Sequence, residues 1–182
     1  MRELSLHLID IIQNSVVAGA TLIEIELDAN TIENYLKITI KDNGCGMDVE
    51  TLKKVKDPFV TSRKTRKVGL GLSLFEAACQ RCGGYLDISS EKGIGTTVTA
   101  FMKFNHIDRS PVGNIVDTLV SSLLNENTDI VYRHIFNGES FEFDSREIKK
   151  IVGDDLSDPE ILNWTKDYIA ENKENIDGGA II

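Results

Sequence analysis

The sequence predicts an α+β fold, a two-layer α/β sandwich in which a mixed, mostly antiparallel sheet carries helices on one face. Three observations lead there. A helix-period apolar pattern opens the chain over residues 3–18, two pairs of period-2 segments follow at 22–28 with 35–41 and at 85–90 with 96–104, and helix patterns lie between the pairs. After residue 106 a further helix, hairpin and helix predict a small C-terminal αββα appendage, which divides the chain at 1–106 and 107–182.

Within residues 3–18, Leu4, Leu8, Ile11, Ile12, Ser15 and Val16 can face a core, and Gly19 suits the left-handed position that closes a helix. His7, Asp10 and Asn14, three and four residues apart, share another stripe. Short polar side chains set among Ile and Leu point to a pocket wall, since an open helix face carries long charged ones.

Residues 22–28 alternate as Leu-Ile-Glu-Ile-Glu-Leu-Asp, and the short polar segment 29–34 returns the chain as an antiparallel strand over 35–41. That strand delivers Asp42-Asn43-Gly44-Cys45-Gly46-Met47. A carboxylate held at a strand end can accept a hydrogen bond from an exocyclic amine such as that of adenine, and Gly44 and Gly46 allow a flat base close to the backbone. The same residues are also ordinary turn chemistry, and taken alone they leave both readings open. A short helix from Asp48 to about Val55 follows.

The stretch 57–72 has no clean period, carries Arg63, Lys64, Arg66 and Lys67 after Lys53, Lys54 and Lys56, and ends in Gly69-Leu70-Gly71-Leu72. A basic loop running through paired glycines into a helix start can hold phosphates, because free N–H groups, the helix dipole and the lysines all favour an anion. Read alone, it is equally a solvated loop. The helix over 73–82 offers Leu74, Ala77, Ala78 and Cys79 for packing, Gly83-Gly84 ends it, and residues 91–95 join the next two strands as a hairpin.

Beyond residue 106, a helix is expected at 114–124, strands at 129–136 and 139–144 around Asn137-Gly138, a short helix at 145–152, and a last one opened by Asp158-Pro159 with Trp164 and Tyr168 on one face. His134, inside a strand, reads as a packed or edge histidine rather than a ligand.

The 182 residues, 41% hydrophobic and 27% charged, suit a globular protein. The absence of a long apolar run and of a signal-peptide pattern leads to the expectation of a cytoplasmic protein without membrane contact. Charge is unevenly divided: residues 1–106 hold 13 basic and 13 acidic side chains, residues 107–182 hold 7 and 16, so the whole net charge of −9 lies in the last segment. This argues against nucleic-acid binding by that segment and toward solubility or a basic protein partner. Cys79 and Cys82 form a single C-x-x-C without the second pair of a zinc site, and read as small packing residues.

Taken together, four stretches resemble the ATP-binding domain of the GHKL superfamily, which includes gyrase B, the large heat-shock chaperones, histidine kinases and MutL. Asp10-Ile-Ile-Gln-Asn14-Ser-Val-Val-Ala-Gly-Ala20 is similar to the first motif in its MutL form, and Asp42-Asn-Gly-Cys-Gly-Met47 to the adenine-pocket motif. Pro58-Phe-Val-Thr-Ser-Arg63 with Gly69-Leu-Gly-Leu-Ser73 resembles the lid and second glycine motif of histidine kinases, and Gly93-Ile-Gly-Thr-Thr97 the final motif.

The resemblance implies ATP and Mg²⁺ as ligands. Asn14 would give Mg²⁺ its amide oxygen, Asp42 would accept the adenine amine, Gly46 and Met47 would shape the adenine pocket and Thr96 would support the ring. Leu70 and Leu72, with Gly69 and Gly71, would wrap the triphosphate, and Arg63, Lys64 or Lys67 would reach its end. Asp10 stands where the MutL and gyrase branch has a glutamate general base, one methylene longer. The functions so implied are kinase-like transfer of the γ-phosphoryl to a partner protein, a slow ATPase switch of the MutL type, and an anti-sigma-like nucleotide-dependent regulator.

Overall fold

The structure, a computed structural model, describes residues 3–56 and 70–180. In chain order the elements are α1 (Leu4–Val17), β1 (Leu22–Asn30), β2 (Tyr35–Asp42), α2 (Val49–Lys56), α3 (Leu70–Arg81), β3 (Tyr85–Glu91), β4 (Gly95–Met102), α4 (Ile115–Ser122), β5 (Asp129–Phe136), β6 (Glu139–Asp144), α5 (Ser145–Val152) and α6 (Pro159–Asp177). They build one six-stranded sheet in the order β3-β4-β2-β1-β5-β6, antiparallel throughout except where β5 runs parallel to β1. The fold is therefore the expected α+β arrangement with a mixed sheet.

Alternation in the strands decides the layers. One buried row, Phe143, Tyr132, Ile25, Ile40, Val98 and Ile88, crosses all six strands in register, beneath the helices. The opposite face carries the intervening polar side chains, where Lys41 pairs with Glu24 at 2.8 Å and Arg133 with Glu142 at 2.6 Å. Among the described residues no helix is long and apolar enough to cross a membrane.

The segment after residue 106 takes its place in the same sheet. Its hairpin turns at Asn137 and Gly138, with φ of 51° and 91°, and β5 lies along the free side of β1. The same segment also caps α1. Glu3 gives that helix no side-chain cap, but Leu4 N–H donates to the Pro111 carbonyl at 3.0 Å and Ser5 N–H to that of Val112 at 2.8 Å.

Two sequence expectations shift. Helix α3 starts at Leu70 rather than at Ser73, and its buried face is Phe75, Ala78 and Cys79, with Cys82 buried just past its end, while Leu74 and Ala77 are exposed. The hydrophobic stripe follows the largest side chain, Phe75, which fills the space against α1. Cys79 and Cys82 are free buried thiols, and burial pushes Cys79 up to about 12.

His134 lies wholly inside, as a packed residue. Its Nδ1 shares a 2.8 Å hydrogen bond with the Tyr132 hydroxyl, and its Nε2 sits 3.2 Å from Asp177 Oδ2 at the end of α6. Lys173 Nζ, on the preceding turn, reaches the same oxygen at 2.5 Å. Burial, and then the Lys173 ammonium, hold His134 down to about 4 against the pull of Asp177.

As pH falls below the ordinary histidine value of 6.5, the unfolded chain binds a proton at this position that the folded chain refuses until about 4. The contribution of neutral His134 is thus fully present above that ordinary value and is lost on acidification through the window. In urea titrations across this range, His134→Gln is expected to lose about 1–3 kcal/mol less stability than the parent. Parallel curves for the two proteins would show that His134 does not govern the slope.

Candidate nucleotide-binding site

A cavity of about 260 Å³ opens between α1, the turn after β2, the start of α3 and strands β3 and β4. Asn14, Ser15 and Ala18 come to it from α1, Asp42, Gly46 and Met47 from β2 and its turn, Leu72 from α3, and Ile88, Thr96 and Val98 from the hairpin. Grooves of about 380 Å³ lie on the open sheet face, but they are shallow and bordered by charged side chains. The smaller cavity has mostly apolar walls around one buried carboxylate, the composition of a small-molecule site.

That carboxylate is Asp42, 9% exposed. Its Oδ2 accepts from the Ser15 hydroxyl at 2.7 Å, and its Oδ1 from Gly44 N–H at 2.9 Å and Thr96 N–H at 3.3 Å. Three hydrogen bonds from three parts of the chain fix its orientation and offset the loss of water.

The glycines are where backbone meets backbone. Gly46 has φ +61°, and a Cβ there would stand 2.0 Å from the Glu91 carbonyl oxygen. At Gly95, φ +141°, a Cβ would stand 2.0 Å from the Asp42 carbonyl oxygen. Gly44 is closed in by Ala18, whose Cβ would be 2.9 Å away. Side chains at these positions would push the turn away from the hairpin and spoil the cavity wall.

Of the residues expected from sequence, Asn14, Asp42, Gly46, Met47, Leu72 and Thr96 line this one cavity, and Gly44 supports Asp42. Asp10 does not line it. It is exposed and lies over the first turn of α3, where a Cβ at Gly71 would be 2.8 Å from its Oδ2. Leu70 begins α3. Arg63, Lys64, Lys67 and Gly69, with the whole basic stretch 57–69, lie outside the described residues.

Of the polar stripe on α1, His7 packs inside and does not line the cavity. It is buried and stacks on Phe75 with ring centroids 4.8 Å apart. Burial lowers its pKa below the ordinary value, so a neutral imidazole packs α1 against α3. A helix facing both a sheet and a neighbouring helix buries more of its circumference than one stripe predicts.

Two supporting residues escaped the sequence reading. The spacing of α1 puts Ser15 on the core face, and a hydroxyl on a face of Leu and Ile signals a buried partner. Ser90 accepts from Met47 N–H at 2.9 Å, donates to the Gly95 carbonyl at 2.9 Å, and stands 2.9 Å from the Thr96 hydroxyl. Its signal is register: closing the hairpin over 91–95 sets Ser90 opposite Thr96.

Comparison with known proteins joins this geometry to a family. Residues 2–106 match the family described as histidine kinase-, DNA gyrase B-, and HSP90-like ATPase. A putative sensor protein of Shewanella frigidimarina (strain NCIMB 400) is 38% identical over 99 residues, which are 53% of this chain and 15% of that protein. The signal transduction histidine-protein kinase AtoS of Escherichia coli (strain K12) is 39% identical over 77 residues, 42% of this chain and 12% of that one. The chain thus matches only a small part of these relatives' length. The crystal structure of the N-terminal domain of a DNA repair protein superposes with a TM-score of 0.50 at 16% identity, over 78% of this chain and 52% of that chain, which shows a shared fold. With more than half of its length matched, and the cavity built wholly within that part, this chain belongs to the histidine kinase-, DNA gyrase B-, and HSP90-like ATPase family.

Proposed function

We propose that the cavity holds the adenine of ATP and that the chain passes the γ-phosphoryl group to a residue on another protein. The observation that carries the first part is Asp42. An ionised carboxylate offers about four acceptor positions, and the three hydrogen bonds from Ser15, Gly44 and Thr96 leave room for one more donor. An adenine exocyclic amine supplies that donor, and Ile88, Val98 and Met47 supply apolar surface for the ring.

The phosphates then extend toward the first turn of α3, where Gly71 and Leu72 offer backbone N–H groups at the positive end of the helix. Leu70 belongs to the same turn, Gly69 precedes it in the chain, and Arg63, Lys64 and Lys67 from the preceding stretch would add positive charge. Asn14, half-buried on the cavity wall, has an amide oxygen of the kind Mg²⁺ takes as a ligand. Bound Mg²⁺ would neutralise phosphate charge that builds up during transfer. The protein's part is to hold the base, align the chain of phosphates and keep water off the cavity floor.

Support for transfer to a protein comes from the relatives, which are named as a sensor protein and a signal transduction histidine-protein kinase. We place the protein in the cytoplasm, where ATP and Mg²⁺ are at hand, with a signalling partner as phosphoacceptor. A second reading, slow hydrolysis in an ATP-driven switch, is favoured by Asp10. Its carboxylate stands beside Gly71, at the end of the site the phosphates would reach, and could serve as base toward a water.

Calorimetric titration with a non-hydrolysable ATP analogue is expected to show binding that Mg²⁺ strengthens. Asp42→Asn should weaken it by about 10–100-fold, the loss of one hydrogen bond to a charged group. Asn14→Ala should remove the Mg²⁺ dependence with the fold intact by circular dichroism. Unchanged affinity in Asp42→Asn would remove the adenine assignment.

The fate of the phosphoryl is read with γ-labelled ATP and candidate protein substrates. Label moving to protein is the expected result, whereas phosphate released to water identifies the switch. If Asp10 is the base of a hydrolytic reaction, Asp10→Asn should cut phosphate release by about 100-fold or more with ATP affinity nearly unchanged. Release at the parent rate would take Asp10 out of that role.

A further inference from the structure

Helix α6 carries the chain's single tryptophan on its outer face. Trp164 is 52% exposed and Tyr168, one turn later, 37%. Their rings stack with centroids 5.3 Å apart and planes 10° apart, and Phe141 of the sheet-edge strand β6 meets Tyr168 edge-on at 5.8 Å. A row of three aromatic rings thus runs from the helix to the sheet edge, with its Trp end open.

Helical spacing places Glu160, Asp167 and Glu171 on the same stripe as the two rings, and all three are exposed. Among the described residues none of them has a cation within ion-pairing distance. The cations on this helix are engaged elsewhere: Lys166 with Asp117 at 2.7 Å and Lys173 with Asp177 at 2.5 Å. This face belongs to the segment that carries the whole net charge of −9.

We propose that the Trp164–Tyr168 face of α6 is a docking surface for a basic segment of another protein, which lays arginine side chains on the aromatic stack and against the flanking carboxylates. An exposed indole face attracts a guanidinium through its quadrupole, and a flat guanidinium also stacks on it. Uncompensated carboxylates beside it add attraction and exclude anionic partners such as nucleic acid. Trp and Tyr are the residue types on which binding energy at protein interfaces concentrates. Two stacked rings already held in place lose little freedom when a partner arrives. The surface lies on α6 and β6, outside the nucleotide cavity, and does not depend on what that cavity binds.

Trp164 fluorescence gives a direct test on the full chain. Octa-arginine is expected to quench or shift the emission saturably, to bind several-fold tighter than octa-lysine, and to weaken as salt is raised. Neutralising the stripe (Glu160→Gln, Asp167→Asn, Glu171→Gln) should weaken binding about tenfold or more. Trp164→Ala, followed by calorimetry, should weaken it about 3–10-fold. A control that neutralises Glu33, Glu50 and Glu126, all exposed and outside α6, removes the same charge and should change affinity less than about twofold.

Equal weakening by the control would show attraction to net charge alone and overturn the proposal, as would full affinity in Trp164→Ala. Sedimentation supplies a third check. A parent dimer that Trp164→Ala converts to a monomer would show that a second copy of this chain covers the face, and the proposal would fail.

Discussion

A carboxylate taken out of water must be given hydrogen bonds by the groups around it, and Asp42 takes its three from three separate parts of the chain. Ser15 requires α1 to lie across the end of β2. Gly44 requires the chain to turn back on itself at once. Thr96 requires β4 to run beside β2 with Asp42 opposite it in register, so close that position 95 has no room for a Cβ. The cavity is what remains when these demands are met together, and its wall residues are neighbours of the same three donors.

Helix α1 is the element on which most of these demands fall. Its Leu and Ile face closes the core, Asn14 and Ser15 face the cavity, and His7 stacks on Phe75 and so packs α1 against α3. The glycine turn at which the proposed triphosphate would lie is thereby held to the helix that carries Asn14. A neutral, buried His7 does this without placing a fixed positive charge beneath that turn.

The acidic last segment is joined to the same framework. Strand β5 supplies the parallel neighbour of β1, and the carbonyls of Pro111 and Val112 satisfy N–H groups at the start of α1 that Glu3 leaves uncapped. Its far end is locked in turn, because α6 finishes with Asp177 against the buried His134 of β5. The segment is thereby tied at both of its ends into the sheet and helix that form the cavity.

The order of helices and strands, the alternation that separates core from open face, the Asn137-Gly138 hairpin, and Asn14, Asp42, Gly46 and Thr96 as cavity residues were all legible from sequence. These follow from local rules, because period, turn chemistry and a motif of a few residues are set by near neighbours in the chain. Tertiary structure alone decided that β5 lies parallel to β1, that α3 turns Phe75 inward and leaves Leu74 outside, that His7 packs against α3, and that Ser15 and Ser90 hold the turn and its carboxylate. Each of these is a contact between residues distant along the chain, chosen by which partner buries a face or satisfies a polar group, and a sequence shows the face or the group without showing its partner.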